Sequence, residues 1–158
     1  MKLKMHVSAL ALAASAAFVV GGQAQAWTLE EAAKPYAGTE LEVLFLDRPG
    51  YNAAIQMLPE FEAATGIKVN YTTVPYENAL GEQVRDFAAG GDLDIALIDL
   101  VWMGNFAENG WVVPSETFIS NPELADPELD MPDFFPLVLD AFGSWNGVNY
   151  GLPFDNYS

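Results

Sequence analysis

The chain of 158 residues has no cysteine, a single histidine, and six lysine and arginine residues against 22 acidic ones. Without cysteine it has no disulfide and no thiol through which a bacterial lipoprotein is anchored. The histidine is His6, close to the N terminus. The rest of the chain therefore supplies neither a Ser-His-Asp or Cys-His relay nor a His/Cys zinc site. Catalysis by paired carboxylates is the enzymatic chemistry that remains open.

The shortage of basic residues also limits the partners. Beyond residue 26, four basic residues stand against all 22 acidic ones, a formal net charge of 4 − 22 = −18. Nucleic acids and anionic lipids are bound largely through lysine and arginine, so both are disfavoured. Polyanionic substrates are disfavoured for the same reason. Neutral or cationic small molecules remain as ligands.

The first 26 residues have the layout of a secretory signal peptide. Lys2 and Lys4 precede the apolar stretch 7–20, and small residues lead to Ala24-Gln25-Ala26. A membrane anchor is the alternative, but the apolar stretch is shorter than the roughly 20 residues that span a bilayer. We expect cleavage after Ala26 and export to the periplasm, with no membrane insertion afterwards.

The region from residue 27 predicts an α/β fold of the order β-α-β-α-β. Thr28 is expected to cap a short first helix, with Glu31 as its capping-box partner. Predicted strands at 40–46, 67–74 and 93–100 alternate with amphipathic helices that end at Gly66 and at Gly90-Gly91. Pro59 either kinks the first long helix or marks its start. A short helix over 101–109 follows the third strand. This order is typical of a parallel sheet with helices on both faces.

The C-terminal part has a different character. Residues 120–133 are rich in proline and acid and predict an exposed connection. These acids lack the Asp-x-Asp-x-Asp-Gly order of a calcium loop, so no metal site is expected. A helical turn or two follows over 134–143, and Asn146-Gly147 predicts a two-residue hairpin turn.

Charged and aromatic residues follow the predicted strands. Asp47, Arg48 and Tyr51 come after the first strand, Tyr76 after the second, and Asp99 and Trp102 after the third. Ligands of open parallel sheets lie beyond the carboxyl ends of the strands, so we expect a ligand site there. Carboxylates accept hydrogen bonds from sugar hydroxyls, and flat rings pack on the apolar faces of sugars. Other interpretations stay open: Asp99 as a helix N-cap, Asp47 and Arg48 as a surface pair, and Trp102 as part of the core. Tyr76 is equally compatible with contact and with no role.

Four segments in sequence, "LPEFEAATGIKV", "GGDLDIALID", "FAENGWVVP" and "NYGLPFDNYS", give the chain a resemblance to the family 1 extracellular solute-binding proteins. These are the sugar-binding receptors of ABC importers. The resemblance implies a two-lobe periplasmic receptor that closes on its ligand by hinge rotation and then docks on a permease. It also implies ligand contacts at Asp155, Asn156 and Tyr157, besides the residues at the strand ends. Family members are much longer, so residues 27–158 are expected to be the N-terminal portion of lobe I, truncated before lobe II. Such a fragment is expected to bind weakly or not at all.

The leading hypothesis is a periplasmic protein that captures a neutral sugar or polyol for an ABC importer, without covalent chemistry and without a cofactor. One alternative is an exported carbohydrate-active enzyme in which Asp47 and Asp99 act as acid and base. Another is a receptor of the same fold for a polyamine, a peptide or a metal chelate.

Overall fold

A computed structural model describes residues 27–155 of the chain. The predicted signal peptide and its cleavage site lie outside the described residues. Within 27–155, no helix combines the length and apolar character needed to cross a membrane. The helices are α1 (Leu29–Ala33), α2 (Pro49–Thr65), α3 (Tyr76–Ala89), α4 (Met103–Glu108), α5 (Glu116–Ile119) and α6 (Pro136–Gly143). The strands are β1 (Glu40–Leu46), β2 (Lys68–Val74), β3 (Ile95–Ala96), β4 (Ser144–Trp145) and β5 (Val148–Asn149), with 3-10 turns at Lys34–Tyr36, Leu100–Trp102 and Met131–Asp133.

The first three strands form a parallel sheet in the order β2-β1-β3. The central strand β1 pairs with β2 from Glu40↔Lys68 to Leu46↔Val74. Its last four residues are buried, as the dense apolar sequence of a strand covered on both faces predicts. The core combines this strand with residues from both long helices: Val43, Leu44, Phe45, Leu46, Tyr51, Val74 and Ala79. The predicted parallel α/β fold is confirmed.

The predicted helix boundaries are largely confirmed. The Thr28 hydroxyl accepts a hydrogen bond from the Glu31 backbone N–H at 3.2 Å, as predicted for the N-cap. The Glu31 carboxylate pairs with Lys34 and not with the Thr28 N–H, so the predicted capping box is only half formed. Gly66 and Gly90 end α2 and α3 with φ of 69° and 66°, a left-handed conformation that glycine adopts without steric cost. Pro59 lies inside α2, which begins ten residues earlier at Pro49, so Pro59 does not mark the helix start.

The third strand is much shorter than predicted. The prediction covered 93–100, whereas β3 covers Ile95–Ala96. The backbone N–H groups of Asp94 and Leu97 add hydrogen bonds to Glu42 and Leu44 of β1, at 3.0 and 3.3 Å. Among residues 27–155 this strand pairs on one side alone, and Ile95 is 51% exposed. The apolar run predicts a central strand, but within the described residues it forms a short edge strand, because no second strand there forms hydrogen bonds with its other side.

The helix predicted over 101–109 is divided into a 3-10 turn and α4, and Gly110 follows with φ of 68°. The predicted hairpin turn is confirmed: Asn146 and Gly147 have φ of 50° and 78° between β4 and β5. The indole N–H of Trp145 on this hairpin donates to Glu108 of α4 at 2.7 Å.

Candidate functional site

Parallel pairing of β1 with both neighbours brings the ends of three strands to one edge of the sheet. Leu46, the last residue of β1, pairs with Val74, the last residue of β2, and the Asp47 N–H donates to the Val74 carbonyl at 2.8 Å. Residues 47–51, Tyr76 and Asp99 therefore leave the sheet at the same edge. The predicted convergence of the strand ends is confirmed.

Asp99 is a partly buried carboxylate with both oxygens engaged. Its Oδ1 accepts from the Val101 backbone N–H at 3.2 Å, so it caps the 3-10 turn that follows, as one of the predicted alternatives has it. Its Oδ2 accepts from the Tyr76 hydroxyl at 2.8 Å. Because each carboxylate oxygen has two acceptor positions, Asp99 keeps capacity for a ligand hydroxyl.

Tyr76 is the centre of a small aromatic and cationic cluster. Its ring stacks on Trp102 with centroids 5.4 Å apart and planes 22° apart. The Arg48 Cζ lies 5.0 Å from the centroid of the same ring. The hydrogen bond to the Asp99 carboxylate, followed by burial, raises the pKa of Tyr76 above its ordinary value. A phenolate beside that carboxylate would be repelled, so the phenol stays protonated and acts as a donor.

A second aromatic pair lies at the other side of the site. Tyr51, in the first turn of α2, is 6% exposed and stacks on Phe154 with ring centroids 5.4 Å apart. Burial, followed by the charge of Asp155, raises the pKa of the Tyr51 phenol. The segment that ends at Asp155 is thereby held against the end of β1.

A cavity of about 1060 Å³ runs along β3 and opens beside these groups. It is lined by apolar residues of 93–98 and by residues from 111–115 and 150–155. The predicted site residues that line it are Arg48, Tyr51, Tyr76, Asp99 and Asp155. Its size reaches the range of small-molecule sites, roughly 300–1,000 Å³.

The other predicted site residues are placed differently. Asp47 is exposed and does not line the cavity. Trp102 does not line it either, because its ring packs on Tyr76 and against the core, as the core alternative predicts. Asn156 and Tyr157 lie outside the described residues.

Two residues at this edge were missed in the sequence. Phe154 provides the ring under Tyr51, but a single phenylalanine in a connecting segment gives no signal of its partner. Gln83 is fully buried, and its Nε2 donates to the Leu97 carbonyl at the end of β3, at 3.0 Å. A glutamine between Leu80 and Val84 on the apolar side of α3 was a readable signal, since a buried amide needs a partner.

The arrangement offers hydrogen-bond acceptors at Asp99 and Asp155, a guanidinium at Arg48, and aromatic rings. Within 27–155, no three histidine, cysteine or acidic side chains are grouped so as to hold a metal ion. Acceptors, a guanidinium and rings can together form hydrogen bonds to hydroxyl groups and pack against apolar surfaces.

Solved structures of solute-binding proteins share this fold. One is an ABC transporter solute-binding protein from Agrobacterium radiobacter K84 in complex with ribitol, with 25% identity and a TM-score of 0.66. It matches 73% of this chain and 29% of its own. The sugar-binding protein MalE from Xanthomonas citri has 22% identity and a TM-score of 0.64, covering 73% and 28% of the two chains. A solute-binding protein from Thermotoga lettingae bound with α-D-tagatose has 24% identity and a TM-score of 0.59, with the same coverage.

The matched part of this chain therefore covers less than a third of the length of each of these three structures. No curated protein sequence matches it. The family model of the bacterial extracellular solute-binding proteins matches residues 47–158, which include β2, β3 and most of the residues that line the cavity. The chain belongs to the bacterial extracellular solute-binding protein family.

Proposed function

We propose that this chain is the ligand-binding portion of a periplasmic receptor that captures a neutral sugar or polyol for an ABC importer. The proposal depends on Asp99, three residues after β3, a partly buried carboxylate with spare acceptor capacity, beside Arg48 and two aromatic pairs. Carboxylate and guanidinium groups exchange hydrogen bonds with ligand hydroxyls, and rings cover the apolar faces. The proposed ligand contacts are Arg48, Tyr51, Asp99 and Asp155.

The family and the ribitol complex support a polyhydroxylated ligand. Ribitol is bound by the Agrobacterium protein, which is 25% identical to this chain. The net charge of −16 opposes polyanions but leaves a neutral ligand unaffected. Ribitol carries a hydroxyl on every carbon, which matches a site rich in acceptors.

The mechanism we propose is binding and closure without a covalent step. A ligand held at this sheet edge would be covered by a second lobe, and it would stabilise the closed state because it contacts both lobes only there. The closed receptor would then dock on the importer's permease. A glycosidase would instead need two carboxylates flanking the bond, roughly 5–10 Å apart. Asp99 lines the cavity and Asp47 does not, which disfavours that pair as acid and base.

Nuclear magnetic resonance on the chain tests the proposal directly. We expect ribitol, added up to tens of millimolar, to shift the amide signals of residues 47–51, 76 and 99–102, and to leave those of α1 unchanged. Citrate and spermidine serve as anionic and cationic comparisons. Shifts at these residues with citrate or spermidine, and none with ribitol or D-tagatose, would overturn the substrate class.

A further inference from the structure

Tyr76 engages two groups that the proposed ligand would use. Its hydroxyl donates to Asp99 Oδ2 at 2.8 Å, and its ring stacks on Trp102 at 5.4 Å. A sugar or polyol at the same place would donate a hydroxyl to the carboxylate and lay an apolar face on a ring. One side chain of this protein thus presents the same two chemical features, a donor hydroxyl and a flat apolar surface.

Arg48 makes Tyr76 a poor platform for the ligand itself. Its guanidinium carbon lies 5.0 Å from the centroid of the Tyr76 ring, while the Trp102 indole is stacked on that ring. With a guanidinium and an indole packed against it, the ring has little face left for stacking. Both the hydroxyl and the ring of Tyr76 are thus already engaged by contacts within the protein.

We propose that Tyr76 is an internal surrogate for the ligand: it occupies the Asp99 carboxylate and covers the Trp102 ring, which keeps that ring out of the cavity, until the ligand displaces it. This inference rests on the proposed function, since it assumes a ligand that carries hydroxyl groups and apolar faces. Displacement leaves Asp99 with a new donor and Trp102 with a new stacking partner, so neither group is left exposed in the bound state. Tyr76 then sets specificity: a ligand that displaces it binds most tightly when it replaces both contacts.

The position of Tyr76 allows such a movement. It is the first residue of α3, directly after the N-cap Pro75, and 39% of its surface is exposed. Rotation about its side-chain bonds moves the phenol toward solvent without unwinding the helix. Val101 keeps its hydrogen bond to Asp99 Oδ1 throughout, so the carboxylate stays oriented.

Three variants of the chain test whether Tyr76 competes with the ligand. Tyr76→Phe keeps the ring but loses the hydroxyl, and Tyr76→Ala removes both contacts. Tyr36→Phe, at an exposed residue ahead of β1, is the control. Circular dichroism first establishes that each variant folds. Tryptophan fluorescence and calorimetry with ribitol and D-tagatose then give the affinities. The surrogate predicts that Tyr76→Ala binds about five- to tenfold more tightly than the original chain, Tyr76→Phe less so, and Tyr36→Phe equally.

A second readout follows the Tyr76 proton. If ribitol displaces Tyr76 from Asp99, the raised pKa of this phenol should fall toward the ordinary value of about 10, and ultraviolet absorbance would detect earlier ionisation. Binding by the original chain with no gain in Tyr76→Ala would overturn the surrogate and leave the proposed function standing. Absence of binding by every variant would overturn the proposed function, and the surrogate with it.

Discussion

Tyr51 and Phe154 stack with ring centroids 5.4 Å apart and planes only 13° apart, joining the start of α2 to the last described segment of the chain. The two residues are 103 positions apart in the sequence. Tyr51 is buried and Phe154 is 57% exposed, and both residues line the cavity, as does Asp155. The stack is therefore one of the contacts that hold residues 150–155 near the strand ends, together with the hydrogen bond from the Tyr150 N–H to the Gly143 carbonyl.

Phe154→Ala should release this segment. We expect a loss of about 0.5–1.5 kcal/mol in the free energy of unfolding, the range for an aromatic pair, and toward its lower end because Phe154 is half exposed. The Tyr51 pKa should move back toward its ordinary value, since burial is the main cause of its rise. Urea unfolding and absorbance titration measure the two effects. Phe135→Ala, at a residue 79% exposed, is the matched control. Equal behaviour of the two variants would contradict the stack.

The two tyrosines of the site predict how stability changes with pH. Both have a folded-state pKa above the unfolded value of about 10. The stability that the two protonated phenols contribute is therefore fully present below the unfolded-state pKa, and it is lost as the pH rises through the folded-state pKa. Tyr51→Phe and Tyr76→Phe should each make stability fall less steeply above pH ~10. Unfolding curves in urea across this range measure the slopes, and unchanged slopes in both variants would refute the prediction.

The hairpin of β4 and β5 depends on a glycine in α4. A Cβ added at Gly104 would lie 2.7 Å from the Trp145 ring, closer than packed carbon atoms approach. Gly104→Ala should cost about 1–3 kcal/mol, the range for overpacking. Gly81→Ala is the comparison, since open space surrounds that position in α3, and it should stabilise the fold by about 0.5–1 kcal/mol. Thermal unfolding of both variants distinguishes them. A neutral Gly104→Ala would show that Trp145 does not pack there.

Gln83 holds the end of β3 from within the core. Gln83→Ala removes its hydrogen bond to the Leu97 carbonyl and leaves a cavity beneath the strand, so we expect a loss of about 2 kcal/mol or more. Gln56→Ala, at an exposed residue of α2, should change stability by less than about 0.5 kcal/mol. Hydrogen exchange at residues 94–97 should rise in Gln83→Ala alone. Unchanged exchange there would mean that β3 is held by β1 without this contact.

The sequence predicted the elements whose signals are local. A dense apolar sequence located β1, helical periodicity located both long helices, Gly66 and Gly90 marked the helix ends, and Asn146-Gly147 marked the hairpin. The length of β3 could not be predicted. An apolar run indicates that residues are shielded from water, but it does not indicate whether a neighbouring strand is present on each side. The edge position of β3 is a property of the whole sheet.

For the site, too, some features could be predicted from the sequence and others could not. Parallel strand order predicted that Arg48, Tyr51, Tyr76 and Asp99 would meet, since it fixes which strand ends share an edge. Side-chain pairing was beyond the sequence: the Tyr76 to Asp99 hydrogen bond and the Phe154 stack join residues 23 and 103 positions apart. For the same reason the sequence could not show that the Trp102 ring packs against the core instead of lining the cavity.

The proposed function requires Asp99, three residues after β3, to receive the hydroxyl groups of a neutral ligand. The most direct measurement is a ribitol titration of Asp99→Asn, monitored through the amide signals of residues 99–102, with Asp140→Asn, at an exposed position of α6, as control. An amide in place of the carboxylate accepts more weakly, so Asp99→Asn should weaken binding at least about tenfold while Asp140→Asn leaves it unchanged. Equal affinities for the two variants would contradict the account.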